Sequence, residues 1–168
     1  MHTVRIAAAL GLALVVAGCG NKAAPPTGPT ATAANPQATA VPQDLITYAQ
    51  LVSPTLKTTL GQLSHLISEL QTSSDMDKIA YDCARDGGAF QADNTAVQGV
   101  TPPSTQASSY YNDAVKGYGI ALTASDTCAV AADARVPGDL ASAASAFSRA
   151  SDSLHTAQTG IAPWLPAP

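Results

Sequence analysis

Four stretches of the chain repeat apolar residues at alternating intervals of three and four, the period of one buried face on an α-helix. No stretch alternates convincingly as a strand would. The pattern predicts an all-α domain. The first stretch carries Leu45, Ala49, Val52, Leu56, Leu60, Leu63, Ile67 and Leu70. Pro54 interrupts it, and Ser53-Pro54 also reads as an N-cap with a first-turn proline, so the stretch is either two helices or one kinked helix. The second opens at Ser74-Asp75-Met76-Asp77, with Asp77 at a capping-box position. It then runs through Ile79, Ala80, Cys83, Gly87, Phe90, Asn94 and Val97. Its weak point is Gly87-Gly88, where each glycine costs about 1 kcal/mol relative to alanine, so either close packing or a local bend is expected.

The third stretch opens at Thr101-Pro102-Pro103 and carries Tyr110, Tyr111, Ala114, Tyr118, Ala121, Leu122, Ser125, Cys128 and Ala132, ending before Pro137-Gly138. The fourth starts near Asp139 and carries Leu140, Ala143, Ala144, Phe147, Ala150, Leu154, Ala157 and Ile161, stopping at Pro163. Four amphipathic segments joined by short polar turns most simply form an antiparallel up-down four-helix bundle over residues 44–168, with a proline-rich C-terminal tail. Alanine and glycine dominate the inner faces of the last two segments. Helices can approach closely there, but each small residue buries little area, so another source of stability is expected.

Ahead of the bundle, Arg5 is followed by an apolar run from Ile6 to Val16 that is too short to span a bilayer, as expected of a secretory leader. The run ends in Val16-Ala17-Gly18-Cys19, which resembles the bacterial lipobox. That resemblance covers only the first 19 residues, and Val16 stands where leucine is usual. It implies a signal peptide over residues 1–18, cleavage before Cys19, and diacylglyceryl and further acyl groups on Cys19. Two or more chains make a stable membrane anchor, at about 0.8 kcal/mol per buried methylene. The resemblance thus implies an extracytoplasmic protein held on a bacterial membrane, either the cell membrane or an outer membrane.

Residues 19–43 comprise the lipidated cysteine and a stretch rich in Ala, Pro and Thr that cannot bury enough apolar surface to offset its ordering entropy. It reads as a disordered tether, roughly 27 Å long as a coil and up to about 75 Å fully extended. The formal net charge is −4, and removal of Arg5 with the leader makes it one unit more negative. Single, scattered cations argue against nucleic acid as a partner and against a polybasic membrane patch.

Once Cys19 is acylated, Cys83 and Cys128 are the remaining thiols, and an exported chain meets conditions in which they can oxidise. A disulfide between them is expected; two inert buried thiols or a redox pair are the alternatives, the latter without a C-x-x-C motif. A hairpin pivoting near residue 100 would leave the two cysteines about 15 Å out of register. Flush far ends, with Ser74 opposite Pro137, repair it. Residues 99–112 must then climb past the end of the second helix, as a loop through Pro102-Pro103 or as two extra turns of helix. Closing the loop would contribute roughly 4 kcal/mol.

Candidate chemistry is sparse. His65 and Glu69 lie one turn apart on the first helix, as do Asp152 and His155 on the fourth, but the two pairs are separated by roughly 14 Å along the bundle. The glutamates of a bundle di-metal site are missing. Both pairs read as solvent-facing, and so does the stripe Asp75, Asp82, Asp86 and Asp93 on the second helix, whose spacing is not that of a calcium loop. No G-x-S-x-G turn supplies a nucleophile. Tyr110, Tyr111, Tyr118 and Trp164 could form a binding surface, or line a core edge with the tryptophan folded back over the bundle.

The expectation is a non-enzymatic envelope lipoprotein without catalytic residues, metal or cofactor, whose domain binds another envelope protein or serves an accessory structural role. A small-ligand-binding bundle, with a groove near the tyrosines and Gly87-Gly88, is the alternative; a hydrolytic enzyme comes third.

Overall fold

A computed structural model describes residues 40–167. The leader, the lipobox, Cys19 and the tether up to residue 39 lie outside the described residues. Four helices follow one another: α1 (Gln43–Thr72), α2 (Met76–Gln98), α3 (Thr105–Asp133) and α4 (Pro137–Ile161), with a 3-10 turn over Ala162–Trp164. In the antiparallel bundle α1 and α3 each lie beside α2 and α4, and α2 does not touch α4. No strand occurs among the described residues.

Of the two readings of the first stretch, one unbroken helix is correct. Pro54 cannot donate to the carbonyl of Gln50, but both residues lie on the exposed face of the helix. Val52 and Leu56, both buried, hold the two halves to the same core. Ser53, read as a possible cap, lies buried inside the helix instead.

The ends of the other helices follow their capping chemistry. Asp75 is the N-cap of α2, its carboxylate accepting the Lys78 amide at 3.0 Å, which places Asp77 one position short of a capping box. Ser104 caps α3 by accepting the Ala107 amide at 3.1 Å, so that helix starts beyond Pro102-Pro103 rather than at it. At its other end Arg135 takes a left-handed φ of 57°, while the Val136 amide donates to the Ala131 carbonyl and the Arg135 amide to that of Ala132. These two bonds close a Schellman turn. Pro137, pre-set for the first helical turn, opens α4 two residues before Asp139.

The Cys83–Cys128 disulfide joins α2 to α3 across a Cα separation of 6.0 Å. From the bridge, α2 continues 15 residues to Gln98, whereas α3 extends 23 residues back to Thr105. The eight-residue difference is an overhang of about 12 Å, taken up as extra helical turns of α3. The far ends are nearly flush.

Tyr118, Phe90, Phe147, Leu56, Leu63 and Leu154 are among the largest fully buried side chains of the core. Between α3 and α4 small residues let the backbones close in: a Cβ on Gly117 would meet Leu154 at 2.7 Å, and one on Gly160 would collide with the Tyr110 ring. At the glycine pair of α2 the helix runs through without interruption. A Cβ on Gly87 would lie 3.0 Å from Ser125, whereas one on Gly88 would meet nothing. Close packing accounts for Gly87 and not for Gly88.

Candidate functional site

The α1–α2 seam is built from charged side chains as well as apolar ones. Position 69 shares the buried face of α1 with Leu63 and Leu66, and positions 82 and 86 share that of α2 with Ile79, Cys83 and Phe90. Glu69, Asp82 and Asp86 are accordingly only 8%, 4% and 4% exposed. This corrects the solvent-facing reading of Glu69 and of the middle of the aspartate stripe. The stripe turns toward α1 rather than toward water, and only Asp75, at the helix cap, stands fully exposed.

Two cations rooted on the outer side of α2 reach inward to hold these carboxylates. Lys78 pairs with Glu69 Oε1 and donates from Nζ to Asp82 Oδ2 at 2.6 Å. Arg85 places Nη1 2.7 Å from Asp82 Oδ1 and donates from Nε to Asp86 Oδ1 at 2.8 Å. Its guanidinium also lies 5.9 Å over the exposed Tyr81 ring. The hydrogen bond from Lys78 holds the Asp82 carboxyl below the usual carboxylate range. Reciprocally, Asp82 and then Glu69 raise the Lys78 ammonium, and Asp86 raises the Arg85 guanidinium. A buried carboxylate left without such a partner would be strongly destabilising, so this charge ladder is a condition of closing α1 against α2.

Further along the seam, Tyr118 OH lies 3.2 Å from Thr59 Oγ1, which donates to Asp93 Oδ2 at 2.6 Å. Thr59 has one proton and gives it to the carboxylate, so the tyrosine is the donor to Thr59. Burial pushes the Tyr118 hydroxyl up to about 12.

Between α1 and α2 runs an open cleft of about 610 Å³, with Gln62 and His65 on one wall and Lys78, Asp82, Arg85 and Asp86 on the other. A smaller lobe of about 320 Å³ is lined by His65 and Lys78, which it shares with the cleft, and by Glu69. Two acceptor oxygens shielded from solvent at this seam have no hydrogen-bond partner: Gln62 Oε1 and Glu69 Oε2. His65 is exposed, its Nδ1 4.0 Å from Glu69 Oε2.

The aromatic residues occupy the opposite end, where α1 begins and α4 finishes. Trp164 folds back over the bundle, its ring 6.4 Å from Tyr48 and 5.6 Å from Tyr110. Tyr118 is fully buried, Trp164 nearly so, and Tyr110 and Tyr111 are half-buried. The four therefore line core and core edge, with Tyr110 and Tyr111 partly open to solvent. None of these four residues lines the α1–α2 cleft, although its wall ends at Asp86, next to Gly87, and at Thr58, next to the Thr59 that Tyr118 contacts. Burial and the neighbouring Tyr111 push the Tyr48 hydroxyl up to about 12.

Asp152 and His155 are exposed on α4 and take no part in the α1–α2 cluster. Among the described residues no group of three or more His, Cys, Asp or Glu is placed to hold a metal ion, and no helix is long and apolar enough to cross a membrane. Periodicity alone passed over Gln62, Thr59, Lys78 and Arg85. The i,i+4 pair Lys78/Asp82 and the i,i+3 pair Asp82/Arg85 were the available signals, both short-range and common on solvated helices. No family model matches this sequence, and no curated protein or solved structure matches it.

Proposed function

We propose that this chain is a bacterial envelope lipoprotein, acylated at Cys19, whose helical domain is a non-catalytic binding or accessory module held near a membrane. The observation that carries the reading is the run Val16-Ala17-Gly18-Cys19 at the end of a short apolar leader, followed at once by a stretch rich in proline and threonine. An ordinary secretory leader needs only small residues at the cleavage site, whereas a thiol at that position supplies the nucleophile for a thioether to lipid.

The Cys83–Cys128 bridge supports the same reading, because structural disulfides persist in oxidising, extracytoplasmic compartments. The seam chemistry is also that of recognition and support. Lys78 and Arg85 hold its carboxylates in ion pairs, and its buried tyrosine is held protonated well above neutral pH.

The test is membrane fractionation of cells expressing the full chain and its Cys19→Ser variant. The parent protein is expected in the membrane pellet and to shift in mass by its acyl groups. The variant is expected in the soluble extracytoplasmic fraction with unchanged helicity; its retention in the pellet would remove the anchor assignment.

A further inference from the structure

We propose that one end of the bundle, where α1 begins, α2 turns into α3 and α4 finishes, is a contact surface for a lipid bilayer, seated in the interfacial region without ion pairs. The inference rests on the reading of the chain as an envelope lipoprotein and adds which part of the domain meets the lipid.

Charge carries the first half of the argument. Residues 40–56, 95–112 and 156–167 make up this end, and Asp44 is the only acidic or basic residue among them. The next such side chains along the four helices are Lys57, Asp93, Asp113 and His155. On α4, where the zone is thinnest, the six residues from His155 to Ile161 give it a depth of about 9 Å. A helix lying in a bilayer interface enters it by about 5–10 Å, so the zone is deep enough to be seated without taking a further charge into the lipid, a costly step. The opposite end of the bundle is electrically unlike it. Its turns carry Asp75, Asp77, Lys78, Asp133, Arg135 and Asp139.

The second half is what stands in place of charge. Leu51 and Val41 are 59% and 38% exposed at this end. Two open grooves of about 410 Å³ each lie here, one lined by Tyr48, Leu51, Val100 and Pro103, the other by Pro54, Leu165 and Pro166. Trp164, Tyr110 and Tyr111 sit at the same end, and an apolar ring with a polar tip suits the boundary between lipid and water. The far end also exposes aliphatic side chains, Val130 and Val136, but these stand within three residues of Asp133 and Arg135. Ala40, through which the chain leading back to Cys19 joins the domain, belongs to the uncharged end.

The experiment reconstitutes the full acylated chain in phosphatidylcholine vesicles, with and without lipid brominated on its upper acyl chain, and reads the emission of Trp164, the sole tryptophan. Bromine quenches only at short range, so the emission should fall in the brominated vesicles. Leu51→Glu combined with Val41→Glu alters two exposed side chains and should abolish the quenching at unchanged helicity. Val130→Glu adds the same charge at the far end and should leave the quenching intact. Added salt should not reduce it, because no basic side chain lies at this end. Unquenched emission from protein that floats with the vesicles overturns the proposal, leaving this end to a protein partner and the anchor at Cys19 in place. Protein that does not float with them removes the lipoprotein reading and this inference with it. Quenching that survives both glutamates at positions 41 and 51, or that Val130→Glu abolishes equally, overturns the assignment of this surface. Sedimentation of the Cys19→Ser chain tests the remaining occupant: self-association that the same two glutamates abolish assigns this end to a second copy and overturns the lipid contact.

Discussion

Replacing both bridged cysteines, Cys83→Ala with Cys128→Ala, removes the one covalent constraint on the helical domain and asks how much stability the alanine-rich core supplies alone. The bridge closes 45 residues of chain. In the chain-entropy model that loop restricts the unfolded state by about 13 cal/mol/K, or about 4 kcal/mol at 25 °C. Both cysteines are essentially inaccessible to solvent, so loss of each sulfur adds a small cavity term on the native side. Domains of this size are stable by about 5–15 kcal/mol, which makes the bridge between a quarter and most of the total. The transition temperature should fall by about 12–20 °C.

Urea unfolding followed by far-ultraviolet circular dichroism measures the loss directly. The slope of free energy on urea should rise, because an uncrosslinked unfolded chain exposes more surface. Reducing the parent protein should give the same loss to within the cavity term. A loss below about 1 kcal/mol would refute the entropic reasoning and place the stability in the packing after all. Complete loss of helicity without denaturant would show the opposite error, a core unable to fold without the staple.

Gly160→Ala places a methyl group into the Tyr110 ring. The ring must move, and with it Trp164, so a destabilisation of about 1–3 kcal/mol and a shifted tryptophan emission are expected in the folded state. Tyr118 has a folded pKa of about 12 against an ordinary value of 10.0. Its contribution, on the order of 3 kcal/mol, is complete below pH 10 and lost as pH rises through 12, so Tyr118→Phe should flatten that part of the alkaline limb of stability, leaving the share due to Tyr48. Asp82 is lowered in the folded state, chiefly by Lys78, so its stabilisation is present above about pH 4 and is lost as pH falls through the lower folded value. Lys78→Met should move the acid limb of the urea midpoint to higher pH; an unchanged limb would remove Lys78 from the ladder.

The helices were legible because their signals are local. The capping residues and the turn around Pro137-Gly138 are written within a few residues of the ends they set, and the apolar period survives even where alanine carries it. The register of α2 against α3 was legible too, since two cysteines and the 1.5 Å helical rise fix it once the far ends are taken as flush. What local signals could not decide was the state of Pro54. A proline inside an apolar period is compatible with a break or with continuity. The choice depends on whether the freed carbonyl faces water, which is a property of the assembled bundle rather than of the segment.

The charged seam was missed for a different reason, one that bears on how such domains hide their sites. On α2 the inward stripe reads Ile79, Cys83, Asp86, Phe90, the half-buried Asp93 and Val97, at intervals of four, three, four, three and four, and on α1 it passes through Val52, Leu56, Thr59, Leu63 and Leu66. Counting only apolar residues skips Asp86, Asp93 and Thr59 and moves the inferred face round the helix, to Leu60 and Ile67 on α1. Carrying the heptad through its polar members would have turned the aspartates inward. The physical objection to that step, the cost of burying a carboxylate, is answered only by long side chains reaching over from the outside of the same helix, as Lys78 and Arg85 do. A polar residue that keeps the period of a buried face is therefore informative when a lysine or arginine stands three or four positions away. Glu69 satisfies the same rule only across the α1–α2 turn, through Lys78, and the oxygen that rule leaves over is the one without a partner.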